Sequence, residues 1–176
     1  MVGRAFAVVA VAGSAALAAC QSAQQSGSTL SGSGPNLEAK LVAAGGSSVT
    51  GAAILRAYDG GVIMTVNFNG AGPGEYRIAV HANGNCSSPN AFSAGPPWAP
   101  PGVTVAAPTV FKNDESASLS VRLPGYRIDG PEGVTGRSVV VHAGTRNSLD
   151  AQPGVPNGRI ACGVIGTPRS LLAPFT

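Results

Sequence analysis

The stretch YRIAVHANGNCSSPNAFSAGPPWAP, residues 76–100, carries the features on which the fold prediction depends. Its first residues alternate between two faces, which is typical of a β-strand. The predicted strand, 76–82, carries His81 at its end and runs into a loop that contains Cys86 and a proline-rich segment. A strand-end histidine beside a cysteine-bearing loop indicates a place where a metal ion could be held.

Short stretches of the same kind lie on both sides of this one, between turns rich in glycine and proline. None holds an apolar stripe at helical spacing over three turns. The composition of 25 Gly and 14 Pro agrees with a loop-rich β protein. The sequence therefore predicts an all-β sandwich or barrel of seven or eight strands. The further predicted strands are 37–44, 49–59, 62–69, 116–123, 137–144 and 158–166.

The charge pattern argues against a nucleic-acid partner. The formal net charge is only +3, and the 11 Lys and Arg residues are spread singly along the chain. Nucleic-acid binding requires a basic patch or stripe. We therefore expect no nucleic-acid partner, and the sequence names no protein partner.

The N-terminus predicts a targeting segment, residues 1–19, followed by a Ser/Gly-rich tether, 20–36, and a β domain, 37–176. Its apolar part is too short to span a bilayer as a mature helix. The residues LAAC, 17–20, resemble a bacterial lipoprotein signal, which implies lipidation of Cys20 and anchoring to the membrane. The resemblance implies a periplasmic position at the outer membrane of a bacterial cell envelope. Ordinary signal cleavage and an uncleaved anchor are the alternatives.

The remaining cysteines form an even pair. With Cys20 assigned to the anchor, Cys86 and Cys162 are left in a chain predicted to enter an oxidising compartment. A disulfide between them is expected, and two free thiols are the alternative.

The two histidines of the chain occupy matching contexts. His81 lies in AVHAN and His142 in VVHAG, each at the end of a Val-rich strand. A strand-end histidine is often a hydrogen-bonded residue with no metal. Two in nearly identical settings also predict a shared metal site, and the spacing alone does not decide between these interpretations.

Three stretches resemble the bacterial copper/zinc superoxide dismutases. They are residues 74–100, the segment GRSVVVHAG at 136–144, and NGRIACGVIG at 157–166. The resemblance implies an eight-stranded Greek-key β-barrel, which agrees with the strand count. It also implies a cell-envelope protein that binds metal.

The same resemblance assigns roles to five residues. It implies a disulfide between Cys86 and Cys162, copper ligation by His81 and His142, and attraction of the superoxide anion by Arg159. These are the family's roles carried over to matching positions of this sequence.

The chain departs from the family pattern at its metal ligands. Ala79 stands where the family has the first histidine of an H-x-H pair, and Pro97 stands where it has the metal-bridging histidine. Residues 99–111, where zinc ligands are expected, contain no His, Asp or Glu. We therefore expect no zinc and a copper site reduced to two of four imidazoles, since a structural zinc site needs about four ligands.

Three functions follow as hypotheses. The first is a superoxide dismutase-like envelope lipoprotein with weak copper binding and little or no dismutation. The second is a divergent copper-only superoxide dismutase, which would convert superoxide to oxygen and hydrogen peroxide. The third is an immunoglobulin-like adhesion or carbohydrate-binding module, for which an aromatic content of 5% offers few stacking platforms.

Overall fold

The computed structural model describes residues 36–112, 116–144 and 158–168. The predicted signal segment and the tether up to residue 35 lie outside them. Across the described ranges, no helix has the length and hydropathy needed to cross a bilayer. In these ranges the chain forms a short 3-10 helix, Phe92–Ala94, and eight strands. The strands are β1 Leu37–Ala43, β2 Thr50–Tyr58, β3 Gly61–Asn69, β4 Gly74–His81, β5 Thr109–Lys112, β6 Ser116–Pro124, β7 Ser138–Ala143 and β8 Arg159–Gly166.

The strands form a nearly closed antiparallel barrel. Their order is β5-β4-β7-β8-β1-β2-β3-β6, and the two end strands, β5 and β6, contact each other. Strands β3 and β6, β4 and β7, and β1 and β8 are neighbours in space although they are distant in sequence. This arrangement confirms the predicted all-β, eight-stranded Greek-key fold.

Period-2 alternation explains which side chains fill the barrel. In β3, Val62, Met64, Val66 and Phe68 are almost completely buried, while the intervening residues are partly or fully exposed. The predicted hairpin between β2 and β3 is present and pairs Tyr58 with Gly61. Gly60 in its turn has a φ of 96°, a left-handed conformation that glycine adopts without a Cβ clash.

Strand β5 was not among the strands predicted from alternation. It has four residues, Thr109–Lys112, and pairs with the start of β4. Only two of its side chains, Val110 and Lys112, are buried. Four residues give too few repeats for a period-2 pattern to stand out from a loop, so this strand is defined by its partner.

The paired strands β4 and β7 separate the barrel core from the candidate site. Ile78 and Val80 of β4 belong to the core. Their neighbours Ala79 and His81 point to the opposite face, because side chains alternate along a strand. On β7, His142 lies on that outer face as well. The face is covered by the loop after β4. Two residues of this loop, Ala91 and Ala94, form a small apolar cluster with Ala44, Val140 and Cys162.

Candidate metal centre

The two histidines converge in a completely buried pair. The Nε2 atoms of His81 and His142 lie 3.0 Å apart, and both side chains are 0% exposed. The rings are stacked, with centroids 5.1 Å apart and planes at 22°. In the β4–β7 ladder, the Ala79–Val140 rung lies between the rungs that carry the two histidines. The imidazoles therefore meet across this rung.

A backbone carbonyl fixes the proton positions of the pair. His81 Nδ1 lies 2.8 Å from the carbonyl oxygen of Gly95. Because a carbonyl only accepts, Nδ1 carries the proton, and a neutral His81 has a bare Nε2. His142 Nε2 therefore donates to His81 Nε2. The pKa of His81 is lowered to about 4: burial is the largest cause, the Gly95 hydrogen bond raises the pKa, and the charge of Arg159 lowers it.

Burial of neutral His81 predicts a loss of stability in acid. The unfolded chain protonates this imidazole near pH 6.5, whereas the folded protein does so only near pH 4. Between these values the unfolded state binds more protons, so the free energy of unfolding falls as the pH drops and levels off below about pH 4. The contribution is about 3 kcal/mol. Urea titrations across this range should show a steeper fall for the wild type than for His81→Gln, and equal slopes would contradict the assignment.

Pro97 lies directly across from His81. The two residues form an isolated antiparallel bridge. It is flanked by hydrogen bonds from Trp98 N to Val80 O and from Ala82 N to Pro96 O. Such a rung needs no N–H from its own residues, which explains why proline is accommodated there. Paired residues of an antiparallel bridge point to the same face, with their Cβ atoms about 4.5–5.5 Å apart. A longer side chain in place of Pro97 would therefore lie beside His81.

Arg159 lies beside the histidine pair. It is the β8 partner of His142 across a bulge, and only 7% of its side chain is exposed. Its Nη1 donates to the Ala91 carbonyl at 2.8 Å, and its Cζ lies 5.4 Å from the centre of the Phe92 ring. Burial lowers the pKa of Arg159 below its usual value, but guanidinium groups keep their charge in proteins. The predicted anion-attracting residue is thus located at the site.

The predicted disulfide is present. Cys86 and Cys162 are bonded, with their Cα atoms 5.7 Å apart and a sequence separation of 76 residues. The bond ties the loop after β4 to β8, in which Cys162 lies three residues after Arg159. The expectation of a Cys86–Cys162 pair is confirmed.

The geometry of the histidine pair is compatible with two bonds to one metal ion. Bonds from imidazole nitrogen to zinc or copper are about 2 Å long, so one ion can contact two Nε2 atoms that are 3.0 Å apart. Within the described ranges, no three His, Cys, Asp or Glu side chains are grouped closely enough to hold a metal. The residues present fit a two-imidazole site and do not fit the larger ligand set that the resemblance implies.

Comparison with known proteins identifies the family. A family model described as copper/zinc superoxide dismutase (SODC) matches residues 49–165, which is more than half of the chain. The chain belongs to this family. The matched range contains β2 to β7 and most of β8, including both histidines, both bonded cysteines and Arg159. The chain is also similar to superoxide dismutase (Cu-Zn) 2 of Brassica juncea, with 29% identity over 126 residues, covering 61% of this chain and 82% of that protein.

Sequence reasoning did not find the groups that orient the histidines. The Gly95 carbonyl is a backbone atom, and no residue type marks its role. Arg137 contacts the loop after His81 through the Ala82 carbonyl, but in the sequence it is one of several scattered basic residues. Neither group carried a signal that could be read without knowing the loop path.

Proposed function

We propose that this member of the copper/zinc superoxide dismutase family is a cell-envelope lipoprotein that binds copper weakly and has little or no dismutase activity. The observation that carries the proposal is the buried convergence of His81 and His142 at 3.0 Å. The family's other copper-ligand positions correspond to Ala79 and Pro97, which offer no metal-binding atom on their side chains.

Copper fits the ligand pair better than zinc does. Imidazole nitrogen binds copper well, and copper has the higher affinity for most nitrogen sites. A structural zinc ion requires about four protein ligands. Residues 99–111, which run from the loop after β4 into β5, contain no His, Asp or Glu. We therefore propose copper as the bound metal and do not propose zinc.

The reduced ligand set is the reason to expect weak or absent catalysis. Bound copper would supply the one-electron chemistry of superoxide dismutation. That chemistry needs a site that holds both Cu(II) and Cu(I), and Cu(II) prefers a tetragonal set of nitrogen and oxygen ligands. His81 and His142 supply two such atoms. The protein can still attract anions through Arg159, whose charge is close to the pair.

The envelope location is proposed from the sequence. Small residues precede Cys20 at the end of an apolar segment, and a Ser/Gly-rich tether follows it. A Cys86–Cys162 disulfide is also what an oxidising compartment such as the periplasm permits. We propose a lipid anchor at Cys20 and the periplasmic face of the outer membrane as the site of action.

Copper titration of the domain tests the proposal. We expect one equivalent of copper to bind the wild-type domain, and His81→Ala or His142→Ala to weaken binding by more than about 10-fold, since even an outer-shell partner contributes 10–100-fold. Competition against a copper chelator of known affinity provides the measurement. Binding that is unchanged in both variants would contradict the assignment of the ligands.

Superoxide removal by the same samples separates the proposed function from its alternative. The alternative is a copper-only dismutase, and the observation that favours it is the position of Arg159 beside His142, where its positive charge would attract superoxide. Activity well above that of free copper, lost in both histidine variants, would establish the enzyme and overturn the proposal of little or no dismutation. Circular dichroism and an intact disulfide verify that each variant is folded.

A further inference from the structure

Two side chains from distant parts of the chain pack against Trp98, in the loop that covers the candidate site. The guanidinium Cζ of Arg137 lies 3.4 Å from the centre of the Trp98 indole, over its face. The Tyr126 ring packs edge-on against the same indole, with centroids 5.8 Å apart and planes at 90°. We call Trp98, Tyr126 and Arg137 the Trp98 clamp.

The backbone of Trp98 is held as firmly as its ring. Its N–H donates to the Val80 carbonyl at 2.8 Å. Its carbonyl accepts a hydrogen bond of 3.1 Å from the Tyr126 hydroxyl, which also accepts from the N–H of Ala106 at 3.3 Å. Tyr126 is 2% exposed. The clamp therefore fixes position 98 through main chain and side chain together.

Arg137 connects the clamp to the strand end that carries His81. Its Nη1 donates to the Ala82 carbonyl at 3.0 Å, and its Nε donates to the Gly133 carbonyl at 2.8 Å. A longer contact of 3.4 Å joins Nη2 to the Pro131 carbonyl. A planar guanidinium can stack and donate in several directions at once, which the ammonium group of lysine cannot do.

The clamped segment contains the carbonyl that orients His81. Gly95 lies three residues before Trp98, and its carbonyl accepts from His81 Nδ1. Between them the segment is tied to the end of β4 by the Ala82 N to Pro96 O hydrogen bond of 3.0 Å. Movement of Trp98 would therefore displace this short ladder and the Gly95 carbonyl with it.

We propose that the Trp98 clamp is the positioning device of the histidine pair, in which Arg137 is the principal positioning residue. It acts through the Gly95 carbonyl, which sets the tautomer and direction of His81, so that His81 Nε2 faces His142. The resemblance implies that this loop carries zinc ligands in the family; here cation–π, aromatic and backbone contacts hold it. As an account of copper affinity, the proposal rests on the proposed function.

The test compares Arg137→Lys with a matched control. Arg137→Lys keeps the charge but loses the planar stack and the fork of hydrogen bonds. The control is Arg122→Lys, because Arg122 also lies over an aromatic ring, that of Tyr58 at 5.6 Å, away from the histidines. Long-range proton–nitrogen NMR on the metal-free protein reports the His81 tautomer and the exchange of its Nδ1 proton.

We expect Arg137→Lys to speed exchange of the His81 Nδ1 proton by about 10-fold or more, since local opening controls exchange. Copper affinity should fall by about 10-fold, as for an outer-shell partner. Arg122→Lys should change neither quantity. Tyr126→Phe, which keeps the ring but removes the hydroxyl, should give an intermediate exchange rate.

The two readouts separate failure of this proposal from failure of the proposed function. If the wild type binds no copper but Arg137→Lys still loosens His81, the proposed function fails and the positioning role holds. If the His81 signals of folded Arg137→Lys match those of the wild type, or if Arg122→Lys changes them equally, the positioning role is wrong whatever the copper result.

Discussion

Ala79→His combined with Pro97→His should convert this protein into a tighter copper binder with measurable dismutase activity. Position 79 lies on the rung between the two histidines, and position 97 lies across from His81. Imidazoles there would add two nitrogen ligands to the existing pair. We expect copper affinity to rise by at least about 100-fold, because direct ligands contribute more than the 10–100-fold of outer-shell partners.

The same change should make the metal-free protein less stable. Ala79 is 0% exposed, and a larger polar side chain in a packed site typically costs about 1–3 kcal/mol. Copper should reverse this loss, because a ligand that binds only the folded state stabilises it. The expected signature is a melting temperature that is below the wild-type value without copper and above it with copper.

A glutamine pair provides the matched control for this experiment. Ala79→Gln with Pro97→Gln introduces comparable bulk and polarity without imidazole. The histidine double variant should gain copper affinity and superoxide removal, and the glutamine variant should gain neither. Equal copper affinity in the two would mean that positions 79 and 97 do not face the histidine pair, and the proposed site would be wrong.

Removal of the disulfide should cause a larger loss of folding stability than any other change predicted here. Cys86 and Cys162 are separated by 76 residues, and constraint of a loop of this length in the unfolded chain corresponds to about 4.5 kcal/mol. Cys86→Ala with Cys162→Ala should therefore lower the free energy of unfolding by about 4 kcal/mol. Urea unfolding of the oxidised wild type and the variant at neutral pH measures the difference.

Chemical reduction provides an internal control for the disulfide prediction. A reductant should lower the stability of the wild type towards that of the double alanine variant and leave the variant unchanged. A difference between the oxidised proteins below about 1 kcal/mol would show that the bond does not constrain the unfolded chain as expected.

The alternation of single strands was enough to predict most of the barrel. All seven predicted stretches contain strands of the structure. The prediction succeeded for them because each is long enough for a period of two to be recognised. β5 differs, since its four residues form a strand through pairing with Gly74–Arg77 of β4. The closure of the sheet was not readable from these local patterns and came from the resemblance.

The histidines of the candidate site were predictable, but their relative placement was not. His81 and His142 stood out because their contexts match and the chain has no other histidines. Their 3.0 Å approach depends on the register of β4 with β7, and a shift by one residue would place one ring on the opposite face. The orienting Gly95 carbonyl depends on a loop path that the sequence does not specify locally.

The sequence by itself determined the strand-forming segments, the candidate imidazoles and the cysteine pair, because these depend on residue type and on short-range periodicity. Tertiary structure alone decided that the imidazoles are hydrogen-bonded to each other, that Pro97 faces His81, and that Arg137 stacks on Trp98. The physical reason is that such contacts join residues tens of positions apart. Their geometry is fixed by strand register and loop packing, which no local pattern encodes.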